Sequence, residues 1–308
     1  MPDTTDLSLP QQPMLFRRLF TGQNGMRAGW RLLLYIAMVI GLGWIIRWVA
    51  HSTAGARGGS TPGVERPVPM IITELALLLA VIAPAMVMAR VERRSLADYG
   101  LPWRTAFRGD FWAGMLWGLV IVTTMVGGIA LLGGYTISGL ALSGGAIVGY
   151  GAIWLVAFLL VGWFEEFAFR GYTQFTLATG IGFWPAVIVL SVAFGAAHLG
   201  NPNEDLLGAL VVALFGIFLG LTLRRTGSLW FAIGLHCAFD WGESYLYAVP
   251  DSGGTSVGHL VTSSMHGARW LTGGSVGPED SVICFVCLFV AMAVFAWRYP
   301  GSRTSYGG

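Results

Sequence analysis

Long apolar runs separated by short polar connections dominate this chain, and they predict its secondary structure. A helix needs about 20 mostly apolar residues to cross the hydrocarbon of a bilayer. We expect eight such spans, near 30–50, 68–89, 110–132, 145 through the glutamates at 165–166, 183–199, 205–223, 228–247 and 281–298. The longest polar connection covers residues 248–280. The pattern therefore predicts an all-α fold, a polytopic membrane helical bundle with about eight transmembrane helices.

The composition excludes a soluble globular protein. Of the 308 residues, 55% are hydrophobic and only 11% are charged, and a soluble core does not need apolar runs of twenty residues. The formal net charge of +2 gives no indication of a nucleic-acid partner. All three cysteines, Cys237, Cys284 and Cys287, fall in apolar stretches, so we expect small buried side chains there rather than redox or metal ligands.

The distribution of arginine predicts the orientation of the bundle. Every basic residue is arginine, which hints at a GC-rich bacterial genome and hence at the bacterial inner membrane. Arginines cluster in a cytoplasmic N-terminal tail (1–29), in the connection 90–108, at 224–225 and in a C-terminal tail (299–308). Basic connections remain in the cytoplasm, so both termini are expected there. Between the tails, residues 30–298 form a single transmembrane domain, with a catalytic core at about 145–247.

Three charged residues directly follow the apolar run 153–163. Charges within a bilayer are costly, so ionisable residues in spans are candidates for function. Glu166 and Arg170 are four residues apart with the acid first, which is the favourable order for a helical ion pair. Glu165 points about 100° away from Glu166 and has no such partner on its own helix. We therefore predict that Glu166 and Arg170 support the structure and that Glu165 is free for chemistry.

Two histidines lie in later apolar runs. His198 is four residues after Phe194, and His236 is four residues before Asp240, so each pair lines one face of its helix. A lone histidine in an apolar helix is usually a packing residue. Two histidines, an unpaired glutamate and an intramembrane aspartate together indicate a site instead.

The spacing of these residues favours convergence. The turn at 180–185 lies midway between Glu165 and His198, so each residue lies about 24 Å from it if the fourth helix continues to the turn. His236 lies nine residues past Gly227, or about 13 Å inward by the same rise. We expect Glu165, His198 and His236 to share one level near the cytoplasmic face, in a site that opens to that side.

The three motifs occur in a familiar order: Glu-Glu-x-x-x-Arg at 165–170, Phe-x-x-x-His at 194–198 and His-x-x-x-Asp at 236–240. Each motif lies on an apolar helix. In this order, the three motifs resemble those of the CPBP family of intramembrane proteases. This family includes the CAAX prenyl endopeptidases and the bacteriocin-processing and immunity proteins. The resemblance covers roughly residues 145–247, and the segment 95–102 is also similar to many members. The last motif position is asparagine in the prenyl-protein enzymes and aspartate in this chain.

The resemblance implies a role for each motif residue. Glu165 would be the general base that activates a water together with His198. His236 and Asp240 would stabilise the oxyanion, with Asp240 either protonated or orienting His236. Structural support for these four groups would come from Glu166, Arg170 and Phe194.

The cofactor requirement has two readings. In the favoured one no cofactor is required, because the glutamate and histidine activate the water directly. In the other, a metalloprotease, Glu165, His198 and His236 would hold a Zn²⁺ ion with an open fourth position. No His-Glu-x-x-His motif is present, which favours the metal-free reading.

We therefore predict an intramembrane endopeptidase that hydrolyses a peptide bond in a membrane-associated protein or peptide, with the lipid bilayer as its other partner. The alternative is a non-proteolytic membrane scaffold, or an immunity or regulatory protein, that retains the motif network. A proton-coupled transporter is a third class, but the inverted repeats typical of one are not found. Substrate identity and oligomeric state are left open by the sequence.

Two further acids and two glycine pairs are less informative. Glu74 could pair with Arg47 or cap a cavity, and Glu243 lies one turn beyond Asp240, where it could face the same chamber. The pairs Gly114/Gly118 and Gly216/Gly220 have the spacing that lets membrane helices approach closely. Glycine is also simply common in such helices.

Overall fold

A computed structural model of the chain describes residues 21–22, 25–53 and 63–303. These residues form α1 (Ala28–Thr53), α2 (Pro67–Glu92), α3 (Gly109–Leu131), α4 (Gly145–Arg170), α5 (Tyr172–Ile181), α6 (Phe183–His198), α7 (Leu206–Thr226), α8 (Leu229–Trp241), α9 (Arg269–Thr272) and α10 (Val282–Arg298). A π-helical turn, Gly242–Leu246, continues α8. The predicted tails, 1–29 and 299–308, lie partly outside the described residues.

The predicted helical bundle is confirmed. Five described spans are long and apolar enough to cross a membrane, by length and composition: α1, α2, α3, α4 together with α5, and α7. The other three predicted spans correspond to the shorter apolar helices α6 and α10 and to α8 with its π-helical turn. Most span boundaries agree with the structure within about three residues. The number of helices that cross the whole bilayer stays a prediction, because three of the eight are short.

The fourth helix differs from the expectation. The sequence predicts one helix that continues to the turn at 180–185, but α4 ends at Arg170 and α5 begins only after Gly171. The backbone of Gly171 lies so close to Phe167 that an added Cβ would overlap the Phe167 carbonyl oxygen. The chain therefore bends at this glycine. The turn itself is where the sequence predicts it, at Gly182, whose φ of 87° favours glycine.

Close helix packing at glycines positions α8 in the centre of the bundle. An added Cβ on Gly114 of α3 would overlap the carbonyl oxygen of Phe231, and one on Gly118 would overlap that of Leu235. Gly162 of α4 meets α8 from another side, where its Cβ would lie 3.2 Å from the Cys237 nitrogen. The first predicted glycine pair is thus an interhelical contact, and α8 is buried along its whole length.

The connections at one end of the bundle are structured, although the sequence predicts polar loops there. Strand β4 (Tyr135–Leu140) pairs antiparallel with β6 (Val261–Met265), and β3 (Val64–Glu65) pairs parallel with β5 (Thr255–Ser256). A third pair, β1 (Thr21–Gly22) with β2 (Gly25–Met26), precedes α1. The first two pairs tie the long connection after α8 to the connections that follow α1 and α3. This arrangement holds the long connection over the end of the bundle.

Candidate active site

The centre of the site is a buried ion-pair network between α4 and α8. Arg170 Nη1 donates to Glu166 Oε1 at 3.1 Å, and both side chains are almost completely buried. The same Glu166 oxygen lies 3.0 Å from His236 Nδ1, so this ring nitrogen donates to the carboxylate. The helical ion pair expected from the sequence is present, and it also fixes the orientation of His236.

Two helices hold the Arg170 side chain in place. Its guanidinium carbon lies 4.2 Å from the centre of the Phe194 ring, a cation–π contact with α6. On α7, Gly216 leaves room for the guanidinium, because an added Cβ there would lie 2.6 Å from Arg170 Nη2. Phe194, predicted as a supporting residue, and Gly216, from the second predicted glycine pair, therefore both contact the network.

The other ring nitrogen of His236 faces two acids. Nε2 lies 3.7 Å from Glu165 Oε2 and 3.5 Å from Asp240 Oδ2. Glu165 Oε2 is buried and has no hydrogen-bond partner among the described residues. The structure thus brings together Glu165, His236 and Asp240, three of the four predicted catalytic residues. Within the described part of the chain, Glu165 Oε2 therefore remains an unused acceptor beside His236.

His198 lies near this group, and the Phe194 ring contacts both it and His236. Its Nδ1 lies 2.9 Å from the Phe194 carbonyl oxygen. A carbonyl can only accept, so Nδ1 carries a proton, and in the neutral imidazole Nε2 keeps a lone pair. The Phe194 ring lies edge-on to both histidines, at centroid distances of 4.6 Å to His198 and 6.3 Å to His236. No direct contact between His198 and the other catalytic candidates is found among the described residues, but all of them share one cavity.

This cavity has a volume of about 220 Å³. Glu165, His198, His236 and Asp240 all line it, so the prediction that residues from three helices converge is confirmed. At about 30 Å³ per molecule, the space is sufficient for several waters. Glu74 also lines the cavity, which favours the second of its two predicted roles.

The lining also includes residues that the sequence analysis did not identify. They are Glu65, Asp251, Ser252 and Glu279, from the connections after α1 and α8. No local motif marks them, because they reach the cavity only through the pairing of β3 with β5 and the folding of the long connection. The available signal was the acidity of Glu65, Asp251 and Glu279.

These residues also correct the expected opening of the site. The connections that supply them are at the end of the bundle opposite the arginine-rich segments 90–108 and 224–225. None of the lining residues belongs to an arginine-rich connection. The cavity therefore extends away from the end predicted to be cytoplasmic, and the expected opening on the cytoplasmic side is not supported.

The acids of these connections hold their protons more tightly than usual. Burial raises the pKa of Glu279 to about 7, with Glu204 adding repulsion and His198 opposing the shift. Burial, reinforced by the neighbouring acids Asp240 and Glu243, raises the pKa of Asp251 well above its ordinary value. Glu65 is raised as well, chiefly by burial. This end of the cavity is therefore rich in carboxyl groups that are costly to ionise.

The predicted zinc ligands are not gathered in a metal-binding geometry. Among the described residues, two sets of three side chains have ligand atoms within 4.8 Å of one another: Glu204 with Asp205 and Asp280, and Glu243 with Asp251 and Glu279. Glu165, His198 and His236 do not form such a set. The arrangement of these side chains does not fit a catalytic zinc.

The fold and the site define a class: a polytopic membrane protein with an acid–histidine centre inside its helical bundle. Residues 147–242, about a third of the chain, match the family model described as Type II CAAX prenyl endopeptidase Rce1-like. The match confirms the predicted resemblance: this region is similar to the Rce1-like CAAX prenyl endopeptidases. All three sequence motifs lie inside it. No curated protein matches the chain.

Proposed function

We propose that the chain is an intramembrane endopeptidase in which Glu165 activates a water for attack on a peptide bond. The observation that carries the proposal is the position of Glu165. One of its oxygens is buried, has no hydrogen-bond partner among the described residues, and lies beside His236 in a cavity that has room for water. The protease family that residues 147–242 resemble supports the same reaction class.

In the first step, Glu165 removes a proton from the water as the oxygen attacks the peptide carbonyl. In its neutral form, His198 accepts at Nε2 a hydrogen bond from the other O–H of the water and so orients the nucleophile, and that proton stays on the oxygen. A positioned general base typically contributes 10²–10⁴-fold to such a reaction. When the tetrahedral intermediate collapses, the proton held by Glu165 passes to the leaving amine, so the carboxylate is regenerated.

His236 and Asp240 would stabilise the oxyanion. Glu166 accepts a hydrogen bond from the Nδ1–H of His236. This bond holds the ring with Nε2 towards the cavity. A doubly protonated His236 would donate from Nε2 to the developing negative charge. Asp240, 3.5 Å from that nitrogen, would either donate as a protonated acid or orient the imidazole. Donors aimed in advance at the oxyanion are often the largest single contribution to acyl-transfer catalysis.

The substrate would be a membrane-associated protein or peptide. The site lies among helices that are apolar enough to span a bilayer, so a scissile bond must reach it from the membrane or its surface. The family model is named for prenylated CAAX substrates. The prenyl-protein enzymes have asparagine where this chain has Asp240. Whether the chain requires a prenyl group on its substrate must therefore be tested separately.

The experiment uses purified full-length protein in lipid vesicles with quenched fluorogenic peptides, half carrying a farnesylated cysteine and half unmodified. Glu165→Gln should lower kcat/KM by roughly 10²–10⁴-fold while the melting temperature stays near that of the wild type. Asp110→Asn, the same type of change at the far end of α3, is the matched control. Wild-type rates in Glu165→Gln would reject the assigned base. Cleavage of no peptide by the wild type would favour the scaffold alternative.

A further inference from the structure

A second group of acids lies beside the cavity, outside the proposed catalytic residues. Glu243, Asp251 and Glu279 each present a carboxylate oxygen within 4.8 Å of the others. They come from three separate segments: the π-helical turn after α8, the start of the long connection, and the turn Pro278–Asp280 before α10. Only the tertiary fold brings these segments together.

Glu243 is the member that points to a ligand. Its side chain is completely buried, and neither carboxylate oxygen has a hydrogen-bond partner among the described residues. Asp251 is also buried and is held by Ser244 Oγ at 3.2 Å, while Glu279 accepts from the Ser252 backbone N–H. None of the ion pairs found in the described part of the chain includes these three acids. A buried carboxylate without a partner is expensive unless a cation or a proton neutralises it.

The backbone around the acids is already fixed in place. The Gly253 N–H donates to the Val276 carbonyl at 2.8 Å, which joins the segments that carry Asp251 and Glu279. The Val249 N–H donates to the Glu243 carbonyl at 3.0 Å. These backbone hydrogen bonds hold the three carboxylates close together, although like charges repel one another.

We propose that Glu243, Asp251 and Glu279 bind a divalent cation, with Ca²⁺ as the best match. The three ligands are all carboxylate oxygens, which suits a hard cation and does not suit Zn²⁺ or Cu²⁺. Ca²⁺ accepts several carboxylates in irregular geometry, whereas Mg²⁺ keeps most of its waters. On the predicted orientation this end faces away from the cytoplasm, where Ca²⁺ modules work at about 10⁻⁴–10⁻³ M.

A cation at this position would link the long connection, through Asp251 and Glu279, to Glu243 at the end of α8. Two of its ligands, Asp251 and Glu279, also line the catalytic cavity, so the ion would fix one wall of that cavity. The binding test below needs no peptidase activity, so it can fail or succeed independently of the proposed function.

The first experiment measures binding directly. Full-length protein in detergent is stripped with EDTA, the chelator is removed, and CaCl₂, MgCl₂ or ZnCl₂ is titrated by calorimetry. We expect one Ca²⁺ per chain, with Mg²⁺ binding more weakly. Thermal unfolding, followed by tryptophan fluorescence, should shift upward by roughly 4 °C when Ca²⁺ is present at about 100 times its Kd.

Two variants locate the ion. Glu243→Gln should abolish both the binding and the thermal shift. Glu204→Gln, which removes a carboxylate from the other acidic group at the same end, should keep both. Absence of Ca²⁺ and Mg²⁺ binding by the wild type would overturn the proposal. Loss of binding in Glu204→Gln with retention in Glu243→Gln would also overturn it, because the ion would then occupy the other group. If Glu243→Gln does not fold, Glu279→Gln replaces it with the same expected outcome.

Discussion

Two buried acidic groups lie along one cavity, and they differ in how their charge is balanced. In the first, Glu166 is paired with Arg170 and His236, which come from α4 and α8. In the second, Glu243 and its two partners contact no arginine among the described residues. Ion pairing inside a protein requires partners at good geometry. The first group therefore carries its cations within the fold, and the second depends on a proton or on an external ion.

The largest expected effect is the loss of the internal cation. Arg170→Met keeps most of the side-chain volume but leaves Glu166 buried with one partner fewer, and removing one partner of a buried pair costs about 3–5 kcal/mol of unfolding free energy. Denaturant titration in detergent measures the change. Arg90→Met, at an exposed arginine near the end of α2, should cost under about 1 kcal/mol. Equal effects of the two changes would remove the distinction between the groups.

A smaller loss should follow from crowding the same arginine. Gly216→Ala places a methyl group 2.6 Å from Arg170 Nη2 and 3.0 Å from Ser191, and such overpacking costs about 1–3 kcal/mol. Gly127→Ala is the matched control, because an added Cβ there meets nothing within 4 Å. The comparison of the two unfolding free energies shows how tightly the paired group is held. A neutral Gly216→Ala would mean that the guanidinium can shift without penalty.

Removing a carboxylate from the unpaired group should not lower the free energy of unfolding. With EDTA present, Glu243→Gln removes a carboxylate that has no partner, so we expect unchanged stability or a gain of up to about 1 kcal/mol. Glu166→Gln, measured in parallel, should destabilise the protein because it breaks contacts to both Arg170 and His236. Destabilisation by Glu243→Gln in EDTA would show that the fold already compensates this acid.

The smallest effect concerns pH and the neighbouring acid Glu204. Burial and repulsion from Asp280 and Asp205 raise its pKa from 4.5 to about 7, while Arg269 opposes the shift. The folded state then binds this proton more tightly than the unfolded state, so its contribution to stability is lost as the pH rises from about 4.5 through about 7. Melting temperatures at several pH values should fall less steeply over this range for Glu204→Gln. Identical profiles would contradict the assignment.

Much of the site could be predicted because its residues are close in sequence or follow helical periodicity. Glu166 and Arg170 are four residues apart on one helix, so their ion pair required only that α4 be helical. The convergence of Glu165 with His236 was predicted from helix lengths and turns, and it holds although α4 ends at Arg170 and does not continue to the turn. The bend at Gly171 was not anticipated, because glycine is common in membrane helices and only its contact with Phe167 shows that it is needed there.

The sequence by itself determined the membrane bundle, the motif order and the identity of the paired acid. Hydrophobic runs and i,i+4 spacing are local properties, and they persist in any arrangement of the helices. Only the tertiary structure decided that the cavity extends towards the arginine-poor end and that Glu65, Asp251 and Glu279 line it. The positions of those residues depend on strand pairing between connections far apart in sequence. Such long-range contacts form only in the folded chain, so no local sequence pattern reveals them.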